Sequence, residues 1–175
     1  MNKLLSTKVP LAMAGLVLLS ILSLPNPALA IWVHGNSGHL ELEGSSAAIS
    51  FSYVFGSGID FVPGSNTIYW AHYAIPLQSA RYVNLRFYTG VDSNVTDVDV
   101  YNAESKLTTV AVPWGTGWRT ISLDMGSNYS FSMGLGISIK CVGGPDAGIG
   151  RFRIAGVGAS TSPGLASVPL LLLDQ

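Results

Sequence analysis

The sequence predicts an all-β fold: an antiparallel two-sheet sandwich of jelly-roll type, forming a single domain behind a cleaved leader. Three observations carry this. Apolar and polar residues alternate with a period of two in one short segment after another, clusters of glycine, proline, asparagine and aspartate separate the segments, and no stretch beyond the leader is long and helically periodic. About eight to ten short strands, each with one wet side, must bury their dry sides against each other. A closed barrel is the alternative that pattern alone leaves open.

Residues 1–30 read as a secretory signal peptide. Lys3 and Lys8 precede an uncharged apolar stretch over residues 11–24, Pro25 and Pro27 end it, and Ala28-Leu29-Ala30 is a small-x-small cleavage signature. Fourteen residues fall short of the ~20 that span a bilayer as a helix, so no transmembrane anchor is expected after processing. The expected location is extracytoplasmic, secreted or periplasmic.

The chain of 175 residues is 48% apolar and 11% charged, which excludes charge-driven disorder. Removing Lys3 and Lys8, the leader's only charges, takes the net charge from −1 to −3. With no basic excess, no nucleic-acid partner is expected. Cys141 is the one cysteine and cannot close an intramolecular disulfide, so the core must hold the domain together. It falls at an apolar position of an alternating segment, where a thiol packs as a small hydrophobe.

The clearest alternation runs from Phe131 through Met133, Leu135, Ile137 and Ile139 to Cys141, with Ser, Gly or Lys at each position between. Ile49-Ser50-Phe51-Ser52-Tyr53, Val83-Asn84-Leu85-Arg86-Phe87, Asp97-Val98-Asp99-Val100, Ile121-Ser122-Leu123 and Arg151-Phe152-Arg153-Ile154 repeat it. Gly56-Ser57-Gly58, Pro63-Gly64-Ser65-Asn66, Val91-Asp92-Ser93-Asn94, Gly115-Thr116-Gly117 and Gly143-Gly144-Pro145-Asp146 are turn chemistry. The domain is expected over residues 31–159. Residues 160–175 form a flexible tail whose Leu170-Leu171-Leu172-Leu173 either lies along the surface or self-associates.

Four groups of residues are candidates for chemistry. His34, His39 and His72 supply imidazoles that a metal site would need to converge. Asp92 and Asn94, followed by Asp97 and Asp99, offer hard oxygen ligands that suit calcium, although alternation with Val98 and Val100 puts the last two on a solvated strand face. The acids Glu41, Glu43, Asp60, Glu104 and Asp124 are dispersed, G-x-S-x-G occurs nowhere, and no catalytic residue is assigned. Trp114 and Trp118 flank a glycine-rich turn, Trp118 in phase with Thr120 and Ser122, while Tyr82 and Tyr88 share the outward phase of Asn84 and Arg86. Outward aromatic faces next to polar groups suit sugar rings; packing at the sheet edges is the competing role.

Trp32-Val33-His34-Gly35, Trp70-Ala71-His72-Tyr73-Ala74-Ile75-Pro76, residues 95–106 and Gly134-Leu135-Gly136-Ile137-Ser138 stand in an order that resembles an uncharacterised family of secreted bacterial β-sandwich proteins, a domain of unknown function. The resemblance implies a small exported sandwich and transfers no reaction, cofactor or functional residue. The expected role is a non-catalytic binding or structural module, with a polysaccharide or cell-surface component as partner and calcium as the one candidate cofactor. The alternatives are a metal-dependent or glycan-active enzyme and a surface-assembly protein using the tail.

Overall fold

The computed structural model describes residues 30–43, 50–54, 58–146 and 150–163. The leader up to residue 29 and the leucine run at 170–173 lie outside the described residues. Eleven strands follow one another among them: β1 (Ile31–His34), β2 (His39–Glu43), β3 (Ser50–Val54), β4 (Gly58–Val62), β5 (Ile68–Ile75), β6 (Ser79–Thr89), β7 (Ser93–Asn102), β8 (Ser105–Ala111), β9 (Gly117–Ser130), β10 (Leu135–Gly143) and β11 (Phe152–Ser160). They form two sheets. The order is β3-β4-β11-β6-β9 in one, with β1 also paired to β11, and β2-β5-β10-β7-β8 in the other. Every pairing is antiparallel, as the one-wet-face alternation requires. The predicted sandwich is the observed architecture.

Alternation decides what is buried. Leu135, Ile137, Ile139 and Cys141 of β10 point inward with Val98 and Val100 of β7, and meet Val83, Leu85 and Phe87 of β6 from the opposite sheet. Phe61 of β4 bridges the layers, stacked on Phe152 at 5.1 Å between ring centroids and tilted against Tyr69 of β5 at 5.2 Å. Each such fully buried large side chain contributes about 1.5–3 kcal/mol of transfer free energy. Met133 departs from the expected pattern. The strand begins only at Leu135, so Met133 lies in the bend before it and is 81% exposed.

Four stretches read as turns also lend residues to strands, with Gly117 opening β9 and Gly143 closing β10. Gly58 opens β4 and Ser93 opens β7, because each pairs into a neighbouring strand from its first residue. Between His34 and His39 the chain leaves one sheet and joins the other through a 3-10 turn over Gly35–Ser37. Gly35 and Gly58 both press on the Ile154 carbonyl, where a Cβ on either would overlap the oxygen; Gly58 also has φ +91°. Tyr73 Oη donates to the Gly35 carbonyl at 2.9 Å and pins the same crossing from the opposite sheet. At the far end β11 runs through Ser160, whose hydroxyl accepts from Asn84 Nδ2 at 3.1 Å.

Candidate functional site

The side chains that leave the core collect on two outer sheet surfaces of different character. On the six-stranded sheet one cross-strand row runs Asp60, Arg153, Tyr88, Trp118 across four neighbouring strands. Strand register alone puts these residues in line, since partners directly opposite share a face. Asp60 is buried and receives Arg151 Nε at 2.8 Å and Arg153 Nε at 3.0 Å. Burial alone would push its carboxyl up, but the two guanidiniums outweigh that and hold it below the ordinary carboxylate range.

Tyr88 and Trp118 meet edge to face, 5.7 Å between centroids, and with Arg151 and Arg153 they line a recess of about 110 Å³. Trp118 is 46% exposed. The Arg86 guanidinium lies 5.3 Å from the Trp118 ring centroid and that of Arg153 lies 5.8 Å away. This arrangement offers an exposed indole edged by fixed donors, which suits noncovalent capture of a hydroxylated or acidic ligand.

The four aromatics expected to bind do not gather at one place. Trp118 and Tyr88 share the recess. Trp114 is 75% exposed on the segment before β9 and lines a separate recess of about 230 Å³ with Asp92, Asn94 and Thr116. Tyr82 faces outward as its phase requires, but it stands six residues from Tyr88 along β6, roughly 20 Å. It lies instead beside Arg81, which binds Asp124 through Nε at 3.0 Å and Nη2 at 2.9 Å.

The histidines are divided between the sheets. His39 and His72 are cross-strand partners on the five-stranded sheet, whereas His34 belongs to β1 of the other and its ring bonds the Asn36 side chain. Asp92, at φ 61°, ties two loops together: its carboxylate accepts from the Asp146 backbone N–H at 2.8 Å and its carbonyl from Gly144 at 2.6 Å. Asn94 Oδ1 is buried without a partner among the described residues. Among those residues no three His, Cys, Asp or Glu side chains come together in a way that could hold a metal ion.

The five-stranded sheet carries a second, acidic surface that dispersed sequence positions concealed. Glu41, Glu43 and Asp99 line one recess of about 220 Å³ with Trp70, His72, Tyr101 and Ser138. Its groups mostly satisfy one another. His72 bonds Ser138 Oγ at 2.8 Å and Glu41 at 3.0 Å, Trp70 Nε1 donates to Glu43 at 2.8 Å, and Asp99 accepts from Thr109 and Lys106. Serine, histidine and glutamate stand in the order of a proton relay. Yet Ser138 sits mid-strand between β5 and β7, where the backbone N–H groups are taken up by the ladders and none is left to stabilise an oxyanion. The five-residue alternation of His39-Leu40-Glu41-Leu42-Glu43 was the available signal for this surface.

No family model and no curated protein matches the chain. Among solved structures it is similar to the CBM36-1 domain of a multidomain xylanase from the hindgut metagenome of Trinervitermes trinervoides (17% identity, 78% of this chain, 100% of that one, TM-score 0.43). It is also similar to a family 29 carbohydrate-binding module (14% identity, 84% and 99%, TM-score 0.45). A third is the C-terminal CBM6 of a marine laminarinase from Zobellia galactanivorans (15% identity, 76% and 100%, TM-score 0.45).

Proposed function

We propose that the protein is an exported, non-catalytic binding module that holds a polysaccharide or another cell-surface component in the Tyr88–Trp118 recess. The carrying observation is Trp118: a half-exposed indole, braced by Tyr88 and edged by guanidiniums, on an outer sheet face. A soluble protein gains nothing in stability from leaving so large an aromatic surface wet, whereas a ligand that covers it gains both apolar contact and directed hydrogen bonds. The first described strand begins at Ile31, directly after the expected cleavage site, which supports residue 31 as the start of the working domain; β11 carries that domain through the buried Ser160, one residue past the expected boundary at 159, so the tail begins at 161. No described helix is long and apolar enough to cross a membrane.

Retention on a panel of insoluble and gel-immobilised polysaccharides tests this. The protein is expected to be retained by at least one of them, and Trp118→Ala is expected to pass through. Flow-through of both proteins on every matrix, or equal retention of both, contradicts the reading.

A further inference from the structure

We propose that the Trp118 recess is built for an acidic glycan, its carboxylate or sulfate group received by Arg86, Arg151 and Arg153; this rests on the binding role above and names its ligand class. The first reason is charge. Arg86 and Arg153 lie over the indole, Arg151 and Arg153 line the recess beside it, and among the described residues only Asp60 pairs with any of these three guanidiniums, so the surroundings of Trp118 keep a surplus of two positive charges on a chain whose net charge is −1. The described charges are segregated by sheet. Arg81, Arg86, Arg151 and Arg153 face Asp60 and Asp124 on one outer surface, while the opposite one carries more carboxylates than lysines.

The second reason is an unanswered donor. Arg86 makes a cation–π contact with Trp118, but its Nε is buried and donates to no described residue. Arg81, Arg151 and Arg153 each reach a carboxylate on this same face, and Arg119 donates to the Pro113 carbonyl, so Arg86 is the guanidinium left over. A buried donor without a partner is costly, and a guanidinium held against an aromatic ring keeps its planar fork available at the edge. Nε itself is covered, so a ligand meets the Nη edge of this guanidinium: a sugar hydroxyl accepts a single bond there, whereas a carboxylate or sulfate also answers the surplus charge.

The third reason is preorganisation. Arg153 is held by Asp60 on one side and lies over Trp118 on the other, so it loses little freedom when an anion arrives. The field that favours an incoming anion is the one that keeps Asp60 ionised against its own burial.

The experiment is affinity electrophoresis and calorimetric titration of the whole protein with polygalacturonate, dextran sulfate, and neutral dextran and xylan. An acidic polymer is expected to bind at least about tenfold tighter than either neutral one, and to weaken from about 50 to 500 mM salt as exposed charge pairs are screened. Preference between the two acidic polymers identifies the group as uronate or sulfate. Arg86→Gln and, independently, Arg151→Gln on the rim are each expected to weaken acidic binding about tenfold, the scale of one charge-assisted hydrogen bond. Neutral polymers bound as tightly as acidic ones, or acidic binding untouched by both substitutions, overturns the ligand class and leaves the binding role standing. Absence of binding to all four polymers and to the wider polysaccharide panel removes the role itself and this inference with it.

Discussion

Asp60 and Arg153 are direct cross-strand partners on β4 and β11, and Arg153 Nε donates to the buried carboxylate at 3.0 Å. Arg151 reaches the same carboxylate from the strand's threshold. The pairing joins the strand that carries Tyr88's neighbour to β4, one strand in from the sheet's edge, so the recess and the fold share one ionic anchor. Asp60→Asn is expected to destabilise the protein by about 2–3 kcal/mol, below the loss for a fully enclosed pair because both guanidiniums can turn to water. Urea unfolding measures it.

The same carboxylate sets a pH window. Its folded pKa lies below the unfolded value near 3.8, so its contribution is complete above that value and is lost as pH falls through the lower folded one. Asp99 behaves alike: burial pushes it up, but Lys106 and Thr109 hold it below the ordinary range. The melting temperature is expected to drop steeply as the solution is acidified below about pH 4, and to drop less steeply in Asp60→Asn. Parallel curves for the two proteins would remove Asp60 from the explanation.

Gly58 and Gly117 separate close approach from backbone conformation. Both have positive φ, +91° and +85°, but a Cβ at Gly58 overlaps the Ile154 carbonyl while one at Gly117 meets nothing within 4 Å. Gly117→Ala is expected to cost about 1 kcal/mol and Gly58→Ala at least twice that. Equal costs by chemical denaturation would show that the β1–β2 crossing tolerates displacement.

Cys141 is wholly buried, and burial pushes its thiol well above the ordinary range. Alkylation by iodoacetamide is expected only at the rate of global unfolding, and a mass spectrum of the folded protein after brief exposure should show no adduct.

Much of the fold was legible because water sorts side chains by strand phase. Val98 and Val100 turn in while Asp97 and Asp99 turn out, and Trp118 and Tyr88 face outward as their neighbours indicated. Where both phases carry aromatics the signal disappears: Tyr69-Trp70-Ala71-His72-Tyr73 is a clean strand, with Tyr69, Ala71 and Tyr73 inward, that period-two reasoning passed over. Sites were harder to read because they depend on register between distant strands. Asp60 and Arg153 stand 93 positions apart in the chain, and nothing local to either announces the other. Trp114 and Trp118 are only four apart, yet they line different recesses because one precedes β9 and the other has joined it.

Trp114 therefore serves as the internal control for the recess. Trp114→Ala is expected to leave polysaccharide retention unchanged and to shift stability by no more than about 0.5 kcal/mol, as for other exposed positions. Loss of retention in this variant would move the ligand to the recess that Trp114 lines with Asp92 and Asn94.

The chain has four tryptophans, and each reports its own surroundings through its indole N–H resonance. A nitrogen–proton correlation spectrum recorded while an acidic oligosaccharide is added separates the recess from every other surface of the sandwich. Movement of the Trp118 indole and the Arg86 Nε resonances, with those of Trp70 and Trp114 fixed, is the result expected. Movement of Trp70 with Trp118 fixed would place the ligand on the opposite sheet and contradict the site assigned here.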